Sequence, residues 1–120
     1  MFFKTCCSAV LVGALTPCVF AVGTFESENV ILHSWLDLGD FGNPSNGSDC
    51  WGYTSPSGRE YALMGLYDKM SVVEITNPNN PTIIGSISHS GSLWADIKVY
   101  QDVAYVSNEN GGGVDVVDLS

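Results

Sequence analysis

The chain has 120 residues, with four basic and 13 acidic side chains and a formal net charge of −9 at pH 7. Such an acidic chain has no electrostatic basis for binding nucleic acid or an anionic membrane surface.

The first 21 residues are predicted to be a secretory signal peptide. A short basic start ends at Lys4, an apolar stretch covers 6–15, and small residues precede a cleavage site after Ala21. A buried N-terminal helix and a lipid anchor at Cys18 are the alternatives. Cleavage leaves residues 22–120, with three basic and 13 acidic residues and a net charge of −10. We therefore expect a secreted or cell-surface protein that does not insert into a membrane.

Cysteine usage excludes an internal disulfide framework. Cys6, Cys7 and Cys18 lie in the predicted signal peptide, so only Cys50 remains after cleavage. We expect Cys50 to be buried and unreactive, with pairing to a cysteine outside the chain as the alternative.

Eight short strands are predicted in the part that follows the signal peptide, where no helical apolar period occurs. Their apolar, β-branched and aromatic residues are separated by Gly, Pro, Asn, Asp and Ser, which favour turns. In chain order the predicted strands are 30–37, 49–54, 60–67, 70–76, 82–88, 95–100, 102–108 and 114–119. Tight turns are predicted at 55–58, 68–69 and 101–102, and longer polar loops at 40–48 and 108–113.

Parts of this strand pattern occur twice. The segments that align are 49–53 with 96–100, 61–65 with 103–107, and 71–76 with 115–120. A unit of about 40–50 residues with four strands is typical of a β-propeller blade, which is stable only when it stacks on neighbouring blades. Chance similarity between two hairpins is the alternative explanation of the alignment.

The sequence thus predicts an all-β fold, a partial β-propeller of four-stranded antiparallel blades with about one and three-quarter blades present. The first blade covers 49–88, and the incomplete second blade covers 94–120. The strand at 30–37 is assigned to close the ring by completing the last blade. We expect the chain to be the N-terminal part of a longer protein, and a small, self-contained sandwich is the alternative.

The asparagine- and proline-rich segment 77–81 (NPNNP) is predicted to form the corner between the third and fourth strands of the first blade. Pro78 presets its own φ, and Pro81 has no N–H to leave unpaired where an edge strand begins. The residues of the repeat signature are Val73, Glu74, Ile75, Asn77, Pro78 and Pro81, with Val117, Asp118 and Leu119 in the second copy.

This signature resembles the LVIVD repeat of secreted β-propellers. More closely, four ordered motifs resemble the N-terminal part of the choice-of-anchor B family: DCWGY at 49–53, EYALMG at 60–65, VEITNPNNP at 73–81 and WADIKVY at 94–100. The resemblance covers roughly 29–120, and Glu74 stands where aspartate is commoner in the family. It implies export, a propeller and attachment at the cell surface through the family's C-terminal part. It implies no known reaction.

Aromatic and acidic residues near the starts of the innermost strands are the candidate ligand-binding residues. Trp51, Tyr53, Trp94 and Tyr100 could line an axial mouth that binds a glycan or a peptide, and packing between blades is the alternative. Asp49 and Asp96 could face the same mouth and hold Ca²⁺, whereas a turn-capping role is the alternative.

No catalytic or metal-binding motif is found. His33 and His89 lack metal-ligand spacing, and the stretch SHSGS at 88–92 contains no nucleophile elbow, so it is predicted to be a polar loop. The loop NENGGG at 108–113 lacks the lysine of a phosphate-binding loop. Asn46 begins a glycosylation sequon, which matters only in a eukaryotic secretory pathway.

We therefore expect a non-catalytic binding module that recognises an extracellular protein or a glycan and carries no resident cofactor. The alternative is an exported propeller enzyme, a hydrolase or lyase, with its active site in further blades. A purely structural cell-surface module is a third interpretation.

Overall fold

The computed structural model describes residues 28–120. The predicted signal peptide and its cleavage site lie outside the described residues. The described part is all-β and contains two antiparallel sheets and no helix. Accordingly, it holds no helix of the length and apolarity that a membrane crossing needs. The strands are β1 Gly47–Thr54, β2 Glu60–Leu66, β3 Lys69–Glu74, β4 Thr82–Ser88, β5 Ile97–Tyr100, β6 Val103–Ser107 and β7 Val114–Asp118.

The first sheet is a four-stranded meander in the order β1-β2-β3-β4. A turn at Ser55–Gly58 joins β1 to β2, and Gly58 adopts a φ of +83°, which favours glycine. Two residues, Tyr67 and Asp68, join β2 to β3, and the corner 77–81 joins β3 to β4. The four strands predicted between 49 and 88 are thus confirmed, with small shifts at their ends.

The second sheet contains three strands in the order β5-β6-β7. Gln101 and Asp102 make the tight turn between β5 and β6, with Gln101 in the left-handed region at a φ of 54°. The loop between β6 and β7 ends with three glycines of positive φ, at 111–113, as its composition predicts.

The segments that align in the sequence pair in the same register in both sheets. Leu63 pairs with Val72 in the first sheet, and the aligned residues Tyr105 and Val116 pair in the second. The first sheet has one more backbone hydrogen bond just after the end of β3, and the second sheet has the equivalent bond just after the end of β7. Ile75 N–H donates to Glu60 O at 2.9 Å, and Leu119 N–H donates to Asp102 O at 2.8 Å.

The core lies between the two sheets, which are stacked so that one face of the first sheet packs against one face of the second. Burial of this apolar surface is the main favourable contribution to holding the sheets together. The buried cluster consists of Tyr53, Leu63 and Met70 from the first sheet and Ile97, Ala104 and Val106 from the second. Because side chains alternate along a strand, each sheet uses only one of its two faces in this contact.

Residues 30–37 form no strand, so this prediction is wrong within the described residues. The segment instead crosses the corner at 77–81. There His33 Nδ1 lies 3.1 Å from Asn79 Oδ1, and the Ser34 hydroxyl donates to Pro78 O at 2.7 Å. These side-chain contacts take the place of a strand ladder. The ring-closing role of 30–37 stays a prediction.

Residues 34–39, Phe41 and Asn43 line a cleft with the face of the first sheet that points away from the second sheet. The sheet side of this cleft includes Ala62, Met64 and Val73. Lys69 Nζ donates to Phe41 O at 3.0 Å and ties the segment to the start of β3. The far face of the first sheet is therefore partly covered by the chain that precedes β1.

Cys50 is exposed, and the expectation that it is buried is wrong. It lies on β1, an edge strand, where it pairs with Met64. Its neighbour Trp51 pairs with the core residue Leu63, so Cys50 points to the opposite face of the sheet. Only the face that carries Leu63 is covered by the second sheet.

Candidate functional site

Asp49 links β1 of the first sheet to β5 of the second. Its Oδ2 accepts a hydrogen bond from Ile97 N–H at 2.8 Å and lies 3.3 Å from Lys98 Nζ. The Ile97 N–H is the main cause that lowers the pKa of Asp49, and Lys98 adds to it. The carboxylate is thus held in its charged form by groups of the neighbouring sheet.

Lys98 also covers the ring of Trp51. Its Nζ lies 4.4 Å from the ring centroid, which is a cation–π geometry. Trp51 is 39% exposed, so its ring is shared between this contact and solvent. Lys98 therefore serves both Asp49 and Trp51.

A shallow groove of about 520 Å³ lies where β1 and β5 begin. The predicted residues Asp49, Asp96 and Trp94 all line it, together with Leu93 and the segment 46–48. Trp94 is 69% exposed and Leu93 is 56% exposed. The structure therefore brings three of the six candidate ligand-binding residues into one groove that has apolar and acidic sides.

Ser92 holds the loop that presents this groove. Its side chain is buried, and its Oγ accepts a hydrogen bond from Trp94 N–H at 3.0 Å. The same oxygen lies 3.2 Å from Glu109 Oε1. A buried Ser92 and a buried Ala95 leave Leu93 and Trp94 between them on the surface. Sequence reasoning missed Leu93 and Ser92, because only the burial pattern distinguishes them from ordinary loop residues.

Tyr53 is not part of this groove. It lies near the other end of β1, is buried in the core, and donates its hydroxyl to Asp102 Oδ1 at 2.6 Å. This hydrogen bond is the main cause that raises the pKa of Tyr53 to about 12. Tyr53 thus connects the two sheets, which is the packing alternative for this residue.

Among residues 28–120, no group of three or more His, Cys, Asp or Glu side chains is placed to hold a metal ion. Asp49 already binds an amide and an ammonium group of the second sheet. Asp96 contributes a single carboxylate to the groove.

The polar stretch 88–92 joins the first sheet to the glycine-rich loop of the second. His89 Nδ1 lies 3.1 Å from Asn108 Nδ2 and 2.8 Å from Ser90 O. Asn108 Nδ2 also donates to Ser90 O at 2.6 Å, and Asn110 Nδ2 donates to Gly91 O. These contacts are those of a structured connecting loop.

The sequon residue Asn46 is half-buried where the chain enters β1. Its Nδ2 donates to Gly47 O at 2.9 Å, and its backbone O accepts a hydrogen bond from Tyr67 N–H at 3.0 Å. Its side-chain amide is therefore already engaged.

The signature residues serve the corner between β3 and β4. Glu74 forms a bidentate ion pair with Arg59, which lowers the pKa of Glu74. Asn77 Oδ1 accepts a hydrogen bond from Asn79 N–H at 3.2 Å and so closes the turn. In the second copy, Asp118 Oδ1 accepts a hydrogen bond from Ser120 N–H at 2.9 Å.

In comparisons with known proteins, no family model matches this chain, and neither a curated protein nor a solved structure matches it.

Proposed function

We propose that this chain is part of a secreted or cell-surface β-propeller of the choice-of-anchor B type that acts as a non-catalytic binding module. The observation that carries the proposal is how the two sheets stack. In the first sheet, Tyr53, Leu63 and Val72 lie on the face that the second sheet covers. The aligned residues Tyr100, Tyr105 and Val116 lie on the opposite, uncovered side of the second sheet.

The difference in exposure between these aligned residues is large. Leu63 is fully buried at 0% exposure, whereas Tyr105 is 39% exposed. Val116 is 65% exposed, although the aligned Val72 packs against the core. The exposed residues Tyr100, Tyr105, Val114 and Val116, with the half-buried Val103, are called the open face below.

The two sheets therefore stack head to tail, which means that non-equivalent faces of the two sheets are in contact. The second sheet covers the first with the face that carries Ala104 and Val106, and it leaves the open face free. A head-to-tail contact does not close on itself, and its repetition produces a ring or an open array. A self-contained sandwich would instead bury the equivalent faces of both sheets against each other. The observed arrangement thus supports a propeller.

The groove at Leu93, Trp94 and Asp96 is the proposed binding face. An exposed tryptophan beside carboxylates suits a sugar ring that stacks on the indole, or a peptide with a basic side chain. The loop is fixed by the buried Ser92, which reduces the entropy cost of binding. The proposed partner is an extracellular glycan or protein.

Binding at this groove can be tested by NMR titration of the ¹⁵N-labelled protein. Chitohexaose and cellohexaose serve as glycan probes, and a lysine-containing octapeptide serves as the protein-like probe. We expect saturable shifts at Leu93, Trp94 and Asp96 with at least one probe. Trp94→Ala removes them, and Trp35→Ala, on a different cleft, keeps them. Saturable shifts that Trp94→Ala leaves unchanged would place the binding face elsewhere.

A further inference from the structure

The chain contains two asparagine–glycine dipeptides, Asn46–Gly47 and Asn110–Gly111. In such a dipeptide the backbone nitrogen of the glycine can attack the side-chain amide carbon of the asparagine, because glycine has no side chain that hinders the approach. In a folded protein the reaction also requires the backbone at the dipeptide to rotate, so its rate depends on local structure. The structure places the two dipeptides in opposite surroundings.

Asn46–Gly47 is held by the first sheet. Gly47 is the first residue of β1 and pairs with Leu66 of β2. The Asn46 carbonyl accepts a hydrogen bond from Tyr67 N–H at 3.0 Å, and the half-buried Asn46 side chain donates to Gly47 O at 2.9 Å. Rotation of the Asn46 backbone would break the start of this strand pair, so attack by the Gly47 nitrogen requires local opening of the sheet.

Asn110–Gly111 lies in the glycine-rich loop between β6 and β7, outside either strand. Asn110 is exposed, and Gly111 is the first of three glycines of positive φ. A Cβ atom added at any of these three glycines would meet no atom within 4 Å, so nothing packs against the loop there. The Gly111 N–H, which carries the attacking nitrogen, donates to Asn108 O at 3.4 Å, which is a long and weak hydrogen bond.

We propose that Asn110 is a site of spontaneous deamidation in the folded protein, where Asn46 is protected, and that the reaction releases a contact between two loops. A bond forms between Gly111 N and Asn110 Cγ, and the bond between Cγ and Nδ2 breaks. Nδ2 leaves as ammonia, with the hydrogen that Gly111 N has lost. One water molecule then opens the cyclic imide, and the carbonyl that it attacks decides whether aspartate or isoaspartate forms. Water is the only co-reactant.

The leaving atom is itself a contact of this loop. Asn110 Nδ2 donates a hydrogen bond to Gly91 O and so ties the loop to the polar stretch 88–92. A carboxylate only accepts hydrogen bonds, so after deamidation two acceptors face each other. The new charge also follows Glu109 in the chain, whose Oε1 lies 3.2 Å from Ser92 Oγ. Deamidation therefore breaks this tie and loosens the stretch 88–92.

Peptide mapping by mass spectrometry measures the reaction, because each converted asparagine gains about 1 Da. The protein is incubated at mildly alkaline pH, and we expect Asn110 to convert at least about tenfold faster than Asn46. In guanidinium chloride, which unfolds both sheets, the two dipeptides should convert at similar rates. Asn110→Gln keeps an amide on a longer side chain that cyclises more slowly, and it should remove the fast conversion from the folded protein.

Two matched variants test the structural consequence. Asn110→Asp reproduces the aspartate product, and we expect it to lower the ¹⁵N order parameters of Ser90 and Gly91 to about 0.6 or less. Asn46→Asp adds the same charge at the other dipeptide and should leave these order parameters unchanged.

Equal rates at Asn46 and Asn110 in the folded protein would overturn the proposed site. Conversion of Asn110 only after unfolding would also overturn it, because the hydrogen bond to Gly91 would then protect the side chain. Unchanged order parameters in Asn110→Asp would overturn the loosening of the stretch 88–92. These measurements use no ligand, so their outcome is independent of the proposed binding function.

Discussion

Tyr53 and Tyr100 hold the same register position in the two sheets, yet Tyr53 is 8% exposed and Tyr100 is 68% exposed. Tyr53 pairs with Tyr61 across β1 and β2, and Tyr100 pairs with Val103 across β5 and β6. Only Tyr53 faces a neighbouring sheet, whose Asp102 accepts its hydroxyl hydrogen bond. The pair therefore marks the direction in which the sheets stack.

The hydrogen bond from Tyr53 to Asp102 predicts a loss of stability at alkaline pH. The pKa of Tyr53 is raised from 10.0 to about 12 in the folded protein, because ionisation would break this hydrogen bond beside a carboxylate. Its contribution is therefore complete below pH 10 and is lost as the pH rises towards 12. Denaturant unfolding at a series of pH values measures this. Tyr53→Phe should lower stability at neutral pH and flatten the alkaline decline, whereas Tyr100→Phe should change neither.

Asp49 predicts the opposite pH dependence. Its pKa is lowered, chiefly by the Ile97 N–H, so its contribution is present above its ordinary pKa of 3.8 and is lost as the pH falls through the lowered value. Asp49→Asn should destabilise the protein by about 1 kcal/mol at neutral pH and reduce the acid-dependent decline. Asp96→Asn, at the aligned position, serves as the control. Equal effects of the two substitutions would contradict the linking role of Asp49.

Truncating Leu63 tests how much the interface between the sheets contributes to the free energy of unfolding. It is fully buried, so Leu63→Ala should cost about 2–5 kcal/mol by removing apolar contacts and leaving a cavity. Leu93→Ala, in the exposed groove, should change the free energy of unfolding by less than about 0.5 kcal/mol. Thermal or urea denaturation compares the two variants. A large loss from Leu93→Ala would show that the groove residues belong to the core.

The Ser92 hydroxyl is predicted to keep the proposed binding loop rigid. Ser92→Ala removes the buried hydroxyl that accepts the Trp94 N–H and should cost about 0.5–1.5 kcal/mol, because this hydrogen bond is lost. The Trp94 amide and indole should then show increased fast motion in ¹⁵N relaxation. Ser90→Ala, at an exposed position, should leave both the stability and the relaxation unchanged.

Sequence patterns predicted most of the fold, because strands with one covered face alternate between apolar and polar residues. Seven of the eight predicted strands are present, and the aligned segments pair in matching register. The strand prediction for 30–37 was wrong because its apolar residues fit a strand locally, whereas a strand also requires a pairing partner. The prediction that Cys50 is buried was wrong because composition does not show which face of an edge strand is covered.

The candidate site was predicted in part. Asp49 and Asp96 align in the sequence, and adjacent sheets bring them to one groove with Trp94. The aromatic pattern could not separate Tyr53, which packs between the sheets, from Trp94, which faces solvent. That distinction depends on which face the neighbouring sheet covers, and this is a property of the stacking rather than of either strand.

The head-to-tail stacking can be tested by adding a third sheet to the chain. A copy of residues 47–88 is joined after Ser120 by a flexible glycine–serine linker, and tyrosine nitration is mapped by mass spectrometry. Our account predicts that Tyr100 and Tyr105 become protected in the extended protein, as their aligned residues in the first sheet already are. Unchanged nitration of Tyr100 and Tyr105 in a folded extended protein would contradict it.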